Sequence, residues 1–139
     1  MDQELPRLIR FQAVSDLRGG LVAIEGNSEI PFEIKRVFYI YDLKKSHSRG
    51  HHAHKQLEEV LIVTSGSATI KYRHLRKQDE VVLDAPNLGL YIPPYTWVEI
   101  IANEKNSVCL ILCSDKYDEG DYIRNFSKFE IFLREKQEA

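Results

Sequence analysis

An antiparallel all-β fold, sandwich or barrel, carrying one C-terminal helix is what this sequence of 139 residues predicts. Two observations carry that reading. Apolar residues recur with a period of two rather than 3.6 along most of the chain. Turn residues (Gly19-Gly20, Gly26-Asn27, Gly50, Ser65-Gly66, Pro86-Asn87, Pro93-Pro94, Asn103) punctuate these runs at about 8–12-residue spacing, the rhythm of a sandwich or barrel. The length is that of one domain, 1–139, with a real core and no need of disulfide or metal staples.

The expected strands, in order, are 8–11, 20–24, 36–41, 51–55, 60–64, 68–73, 81–83, 89–92, 97–102 and 108–113. The last contains Cys109 and Cys113, which share one face but stand roughly 13 Å apart in a strand, beyond disulfide reach. They read as small core residues of a reducing, cytoplasmic compartment. Only the tail changes period. Phe126, Phe129, Phe132 and Leu133 step by three and four with charges between them, so 126–139 is a helix packing on the outside of the sheets.

Charge and hydropathy exclude two classes. Nineteen Lys and Arg against twenty-one Asp and Glu leave a formal charge of −2, too little positive charge for phosphate-driven nucleic-acid binding. The longest apolar runs, such as 108–113, fall far short of the roughly 18 residues of a membrane-spanning helix. The charged N-terminus has no apolar core of a secretory signal.

Three of the five histidines fall within four residues, in Arg49-Gly50-His51-His52-Ala53-His54-Lys55. In an extended segment His52 and His54 share one face and His51 and Ala53 the other. Two imidazoles inside a barrel mouth are costly to desolvate unless their nitrogens find partners. A solvated surface strand and a buried structural pair are the bland alternatives. The spacing continues as His-x-His-x4-Glu-x6-Gly over His52, His54, Glu59 and Gly66, which resembles the first motif of the cupin superfamily of small double-stranded β-barrels. In metal cupins the two histidines and the glutamate are ligands, and a second motif, Pro-x-Gly-x-x-His, supplies a fourth. The candidate here is Pro93-Pro94-Tyr95-Thr96-Trp97-Val98, whose last residue has no lone pair to donate. A three-ligand site with water remains open to a transition metal.

Four ordered runs sharpen the resemblance: Pro31-Phe32-Glu33-Ile34-Lys35-Arg36-Val37-Phe38-Tyr39, then the histidine segment, then Gly89-Leu90-Tyr91-Ile92-Pro93-Pro94 with Trp97. The fourth is Ser114-Asp115-Lys116-Tyr117-Asp118-Glu119 leading into Asp121-Tyr122-Ile123-Arg124-Asn125. Together they resemble the sugar 3,4-ketoisomerases, which isomerise dTDP-4-keto-6-deoxy-glucose on the way to 3-amino sugars of bacterial surface glycans. The resemblance covers roughly 8–125 and implies a cupin jelly roll. It further implies a homodimer exchanging N-terminal strands, no metal, no organic cofactor, and His52 as the acid/base with His54 beside it.

The chemistry fits those residues. Moving a ketone from C4 to C3 needs a base of near-neutral pKa within reach of both carbons, which histidine supplies. Charge developing on oxygen needs preorganised donors, and the candidates are His54, the hydroxyls of Tyr39 and Tyr41, and the guanidinium groups of Arg36 and Arg49. Those two arginines also suit a diphosphate. Trp97, Tyr91 and Tyr95 are candidates to stack a base or a ring edge. Two departures from the family stand out. Many members carry glutamine where this chain has Glu59, and Val98 replaces a polar, basic residue. Position 98 and the one matching Arg18 lie near the sugar in the family and differ with C4 configuration. Arg18 resembles the galacto version and Val98 fits neither. Three rivals follow: a metal-dependent cupin enzyme using His52, His54 and Glu59, a catalytically silent sugar-nucleotide-binding cupin, and a 3,5-epimerase.

Overall fold

The computed structural model describes residues 4–138. In chain order the elements are β1 (Arg7–Arg10), β2 (Ala13–Asp16), β3 (Gly19–Val22), β4 (Arg36–Leu43), β5 (Arg49–His54), β6 (Glu59–Ser65), β7 (Ala68–Arg73), β8 (Gln78–Leu83), β9 (Leu88–Ile92), β10 (Trp97–Ala102), β11 (Ser107–Cys113), a 3-10 turn Glu119–Asp121, β12 (Tyr122–Ile123) and α1 (Phe126–Glu138). Each of the ten expected strands overlaps one of these. Two were not expected, for clear reasons. Strand β2 is exposed at every residue and pairs only with β3, so it carries no apolar alternation. Strand β12 is two residues long. The helix begins where its apolar spacing begins, and its expected last residue, Ala139, lies outside the described residues, as do residues 1–3.

Two five-stranded antiparallel sheets, β1-β9-β6-β11-β4 and β12-β5-β10-β7-β8, face each other. Among the described residues no ladder joins one sheet to the other, so the expected barrel is an open jelly-roll sandwich. The hairpin β2–β3 belongs to neither sheet. Strand β1, by contrast, pairs with this chain's own β9, Leu8 against Leu90.

Alternation decides where side chains go. Between the sheets lie Phe38, Ile40, Leu61, Val63, Leu90, Ile92, Cys109 and Ile111 from one side and Ile70, Tyr72, Leu83, Val98 and Ile100 from the other. The far side of the first sheet is buried too, under Phe11, Ile30 and Phe32. Strands β6 and β9 are therefore covered on both faces, which is why they read as unbroken apolar runs. On the second sheet Phe129 and Leu133 of α1 cover Ala53, Trp97 and Ile123. Cys109 and Cys113 are free and buried, and burial pushes their thiols up to about 11 and about 12. They are core residues, as expected.

Candidate active site

The histidine strand is aimed by a bulge. Against β10, His52 pairs with Val98 while Gly50 pairs with Glu99, so His51 is the extra residue on β5. The backbone turns through φ 93° at Gly50 and 57° at His51, both left-handed. A Cβ at Gly50 would stand 2.7 Å from the Val98 carbonyl oxygen, so only glycine fits. Beyond the bulge, Ala53 packs under α1, while His52 turns into a cavity between the sheets together with Arg49, Glu59, Phe38, Ile40, Val98 and Ile100.

The two imidazoles meet edge-on, with centroids 5.1 Å apart, and Tyr122 stands against both, at 5.1 Å from His52 and 4.2 Å from His54. Nδ1 of His52 lies 3.0 Å from the Gly50 carbonyl oxygen. A carbonyl only accepts, so Nδ1 carries the hydrogen and Nε2 of the neutral ring holds a lone pair. Desolvation by burial holds the His52 pKa below the ordinary histidine value, which keeps that lone pair available at neutral pH. His54 sits behind it, 5 % exposed, and burial foremost, with the neighbouring His52 and Arg36, lowers its pKa to about 3. Its Nε2 lies 3.6 Å from Glu59 Oε1 and its Nδ1 3.4 Å from Asp121 Oδ2. Glu59, 6 % exposed, is raised by burial to about 7. At neutral pH this pocket therefore contains two neutral rings and a carboxyl that readily holds a proton.

Of the residues expected at the site, His52, Glu59 and Arg49 line the cavity and His54 backs it. Arg36 joins them: on β4 it shares the inward face with Phe38, its guanidinium lies over the Phe38 ring at 4.5 Å, and Nη1 is buried without a protein partner. Six others are not brought in by this chain. Tyr39 and Tyr41 occupy the opposite face of β4 and are 63 % and 65 % exposed, so neither hydroxyl points into the cavity of this chain. Tyr91 is buried on the far side of β9 and donates to Glu58 Oε1 at 2.6 Å. Trp97 alternates away from Val98 and packs against Phe126 and Phe129 of α1, which makes it core. Arg18 is at the tip of the β2–β3 hairpin, paired with Asp16. Tyr95, in the loop after β9, packs against Phe132 of α1.

Comparison with known proteins now decides the family. Residues 4–134 match the family described as WxcM-like, C-terminal. The chain is 44 % identical over 127 residues, 91 % of each chain, to a TDP-4-oxo-6-deoxy-alpha-D-glucose-3,4-oxoisomerase of Aneurinibacillus thermoaerophilus. It belongs to the sugar 3,4-ketoisomerase family. A 3,4-ketoisomerase from Helicobacter canadensis superposes with a TM-score of 0.89 at 42 % identity, covering 93 % of this chain and 97 % of that one. The 3,4-ketoisomerase QdtA from Thermoanaerobacterium thermosaccharolyticum, solved as a mutant in complex with TDP-4-keto-6-deoxyglucose, gives 0.90 at 39 % identity and 94 % of each chain.

Sequence reasoning about this ketoisomerase assigned no role to Asp121, Tyr122, Glu119 or Arg124, although they lie in the fourth run. Strand β12 pairs Tyr122 with His54, which brings that run against the histidines. Arg124 lies 4.2 Å over the Tyr122 ring and donates to Glu119, whose carboxyl its hydrogen bonds hold down at about 2. The signal in the sequence was the resemblance of the run 114–125 itself, which marked the segment without assigning a role to any side chain in it.

The donor atoms of His52, His54 and Glu59 lie within 4.8 Å of one another, close enough to gather round one transition metal. The fourth position of the metal-cupin pattern is Val98, which pairs with His52 and adds an apolar side chain and no donor. Any such ion would be held by three protein ligands, with its remaining positions open.

Proposed function

We propose that this isomerase converts TDP-4-keto-6-deoxyglucose to the 3-keto isomer, without metal or organic cofactor, in the cytoplasm, on a route to 3-amino-3,6-dideoxy sugars of surface glycans. The observation that carries the reading is the His52 imidazole, tied through Nδ1 to a backbone carbonyl and presenting Nε2 to the cavity. Nε2 removes the proton on C3, the C4 carbonyl oxygen takes up the charge, and an enediolate forms. The O3 hydroxyl proton passes to O4. Delivery of a proton from the imidazolium to C4 completes the isomerisation, with no net oxidant or reductant.

Arg36, with its buried unpaired nitrogen, and Arg49 supply donors to the developing oxyanion and to the diphosphate. The apolar floor of Phe38, Ile40, Val98 and Ile100 keeps water from the enediolate and strengthens those contacts. The family's homodimer is part of the same proposal. Val37, Tyr39 and Tyr41 form an exposed apolar face on edge strand β4, and Val14, Leu17 and Leu21 are exposed on the free hairpin. Because β1 stays in its own sheet, the hairpin β2–β3 is the piece offered for exchange, and it carries Arg18 toward a second copy.

A metal-dependent reaction is the second reading, favoured by the gathering of His52, His54 and Glu59. The test is incubation of TDP-4-keto-6-deoxyglucose with the chelated enzyme, followed by carbon NMR. A ketone moved to C3 supports the proposal. A ketone retained at C4, with or without inversion at neighbouring carbons, sinks it.

A further inference from the structure

We infer that Asp121 is a positioning residue that fixes the tautomer and ring orientation of His54. Asp121 reaches the histidine strand from 65 residues away, at the end of the 3-10 turn Glu119–Asp121. Its Oδ1 accepts from the Gln56 amide at 2.8 Å and its Oδ2 from the Leu57 amide at 3.1 Å. Its backbone carbonyl accepts from the Lys55 amide at 3.0 Å. Three consecutive amides after β5 are thus tied to one residue, and the same Oδ2 lies 3.4 Å from Nδ1 of His54. Both nitrogens of that ring are buried without a hydrogen-bond partner, and carboxylates face them at 3.4 Å (Asp121) and 3.6 Å (Glu59), so the ring's tautomer follows from which carboxylate draws its hydrogen.

The hydrogen-bond inventory favours Asp121. An oxygen already held by backbone amides is a fixed acceptor, and it places the hydrogen on Nδ1, leaving Nε2 as the acceptor on the Glu59 side. Glu59, on the other side of the ring, has no backbone amide holding its carboxyl oxygens, so it is free to carry a proton and offer it to Nε2. The consequence reaches His52 through packing: His54 stands edge-on to it at 5.1 Å, and Tyr122, the residue after Asp121, touches both rings. A His54 turned to its other tautomer would lose this anchoring and shift the ring against which His52 is aligned.

The catalytic consequence rests on the proposed role of His52, but the structural claim is read without substrate. Nitrogen-15 NMR of the imidazoles in the free enzyme distinguishes Nδ1–H from Nε2–H. The expected spectrum of the unmodified enzyme shows His54 with its hydrogen on Nδ1, and a His54 protonated on Nε2 overturns the inference whatever the enzyme turns over. In Asp121→Asn, which keeps size and one oxygen, kcat should fall roughly 10–100-fold with KM little changed, and the His54 signal should move to the other tautomer. Asp121→Glu should restore Nδ1–H and part of kcat. An Asp121→Asn enzyme with an unmoved His54 tautomer, whether its kcat is normal or reduced, refutes the positioning role.

Discussion

His52 and Gly50 are joined by a contact of 3.0 Å between Nδ1 and the carbonyl oxygen, made across a bulge that the sequence Arg49-Gly50-His51-His52 builds for itself. One peptide carbonyl both selects the tautomer of the ring and turns its free nitrogen toward the cavity.

The first consequence concerns His52→Asn. The variant keeps a polar side chain but no proton acceptor of near-neutral pKa. Turnover should fall by roughly 10²–10⁴-fold while TDP binding, measured by calorimetry, stays within a few-fold of the wild type. His54→Asn should lose less, because His54 backs the cavity and does not line it. Equal losses for both, or a fully active His52→Asn, would count against the assignment.

Gly50→Ala tests the bulge. Its Cβ would meet the Val98 carbonyl oxygen at 2.7 Å in a backbone already at φ 93°. Denaturant titration should show a loss of at least about 1–3 kcal/mol, and kcat should fall as well, since His52 is no longer aimed. A variant as stable and active as wild type contradicts the geometry.

The pH dependence of stability separates Glu59 from His54. Glu59 is raised from 4.5 to about 7, so its contribution is fully present below pH 4.5 and lost as pH rises to about 7. His54 is lowered from 6.5 to about 3, so its contribution is fully present above pH 6.5 and lost as pH falls toward 3. Between pH 4.5 and 6.5 the two slopes oppose each other. Glu59→Gln should therefore make stability rise more steeply with pH in that window, and His54→Asn should make it fall, each by up to about 1.4 kcal/mol per pH unit relative to wild type. Denaturation midpoints taken at half-unit intervals give the slopes, and slopes unchanged in both variants would refute the protonation states.

Metal independence is tested by removal. Dialysis against chelator should leave kcat unchanged, and elemental analysis should find less than one metal per several chains. Stoichiometric iron, nickel or zinc with activity lost on chelation would instead make His52, His54 and Glu59 its ligands.

Association is tested at the exposed face of β4. Light scattering should give twice the mass of one chain, and Tyr39→Glu should weaken association by roughly tenfold or more. A wild-type enzyme that is monomeric at micromolar concentration contradicts the proposed dimer.

Most of the fold was legible because strand alternation writes itself directly into sequence. Strands β7 and β10 begin and end where their apolar spacing does. The site was legible where chemistry and periodicity coincide, as for His52 and His54 on one face of β5. Tyr39 and Trp97 lie away from the cavity for a common reason. Each sits one residue from a cavity-facing neighbour, Phe38 and Val98, and alternation sends it to the opposite face. Tyr91 and Asp121 are settled only by pairing across the chain, with Glu58 and with the 55–57 turn, and no local pattern encodes such distant partners.

The most direct measurement is turnover of TDP-4-keto-6-deoxyglucose in deuterated water by the chelated enzyme, followed by NMR. The account predicts a product with its ketone at C3 and deuterium at C4, formed by wild type and not by His52→Asn. A sugar that keeps its ketone at C4, or label entering C4 equally well without the His52 imidazole, would contradict it.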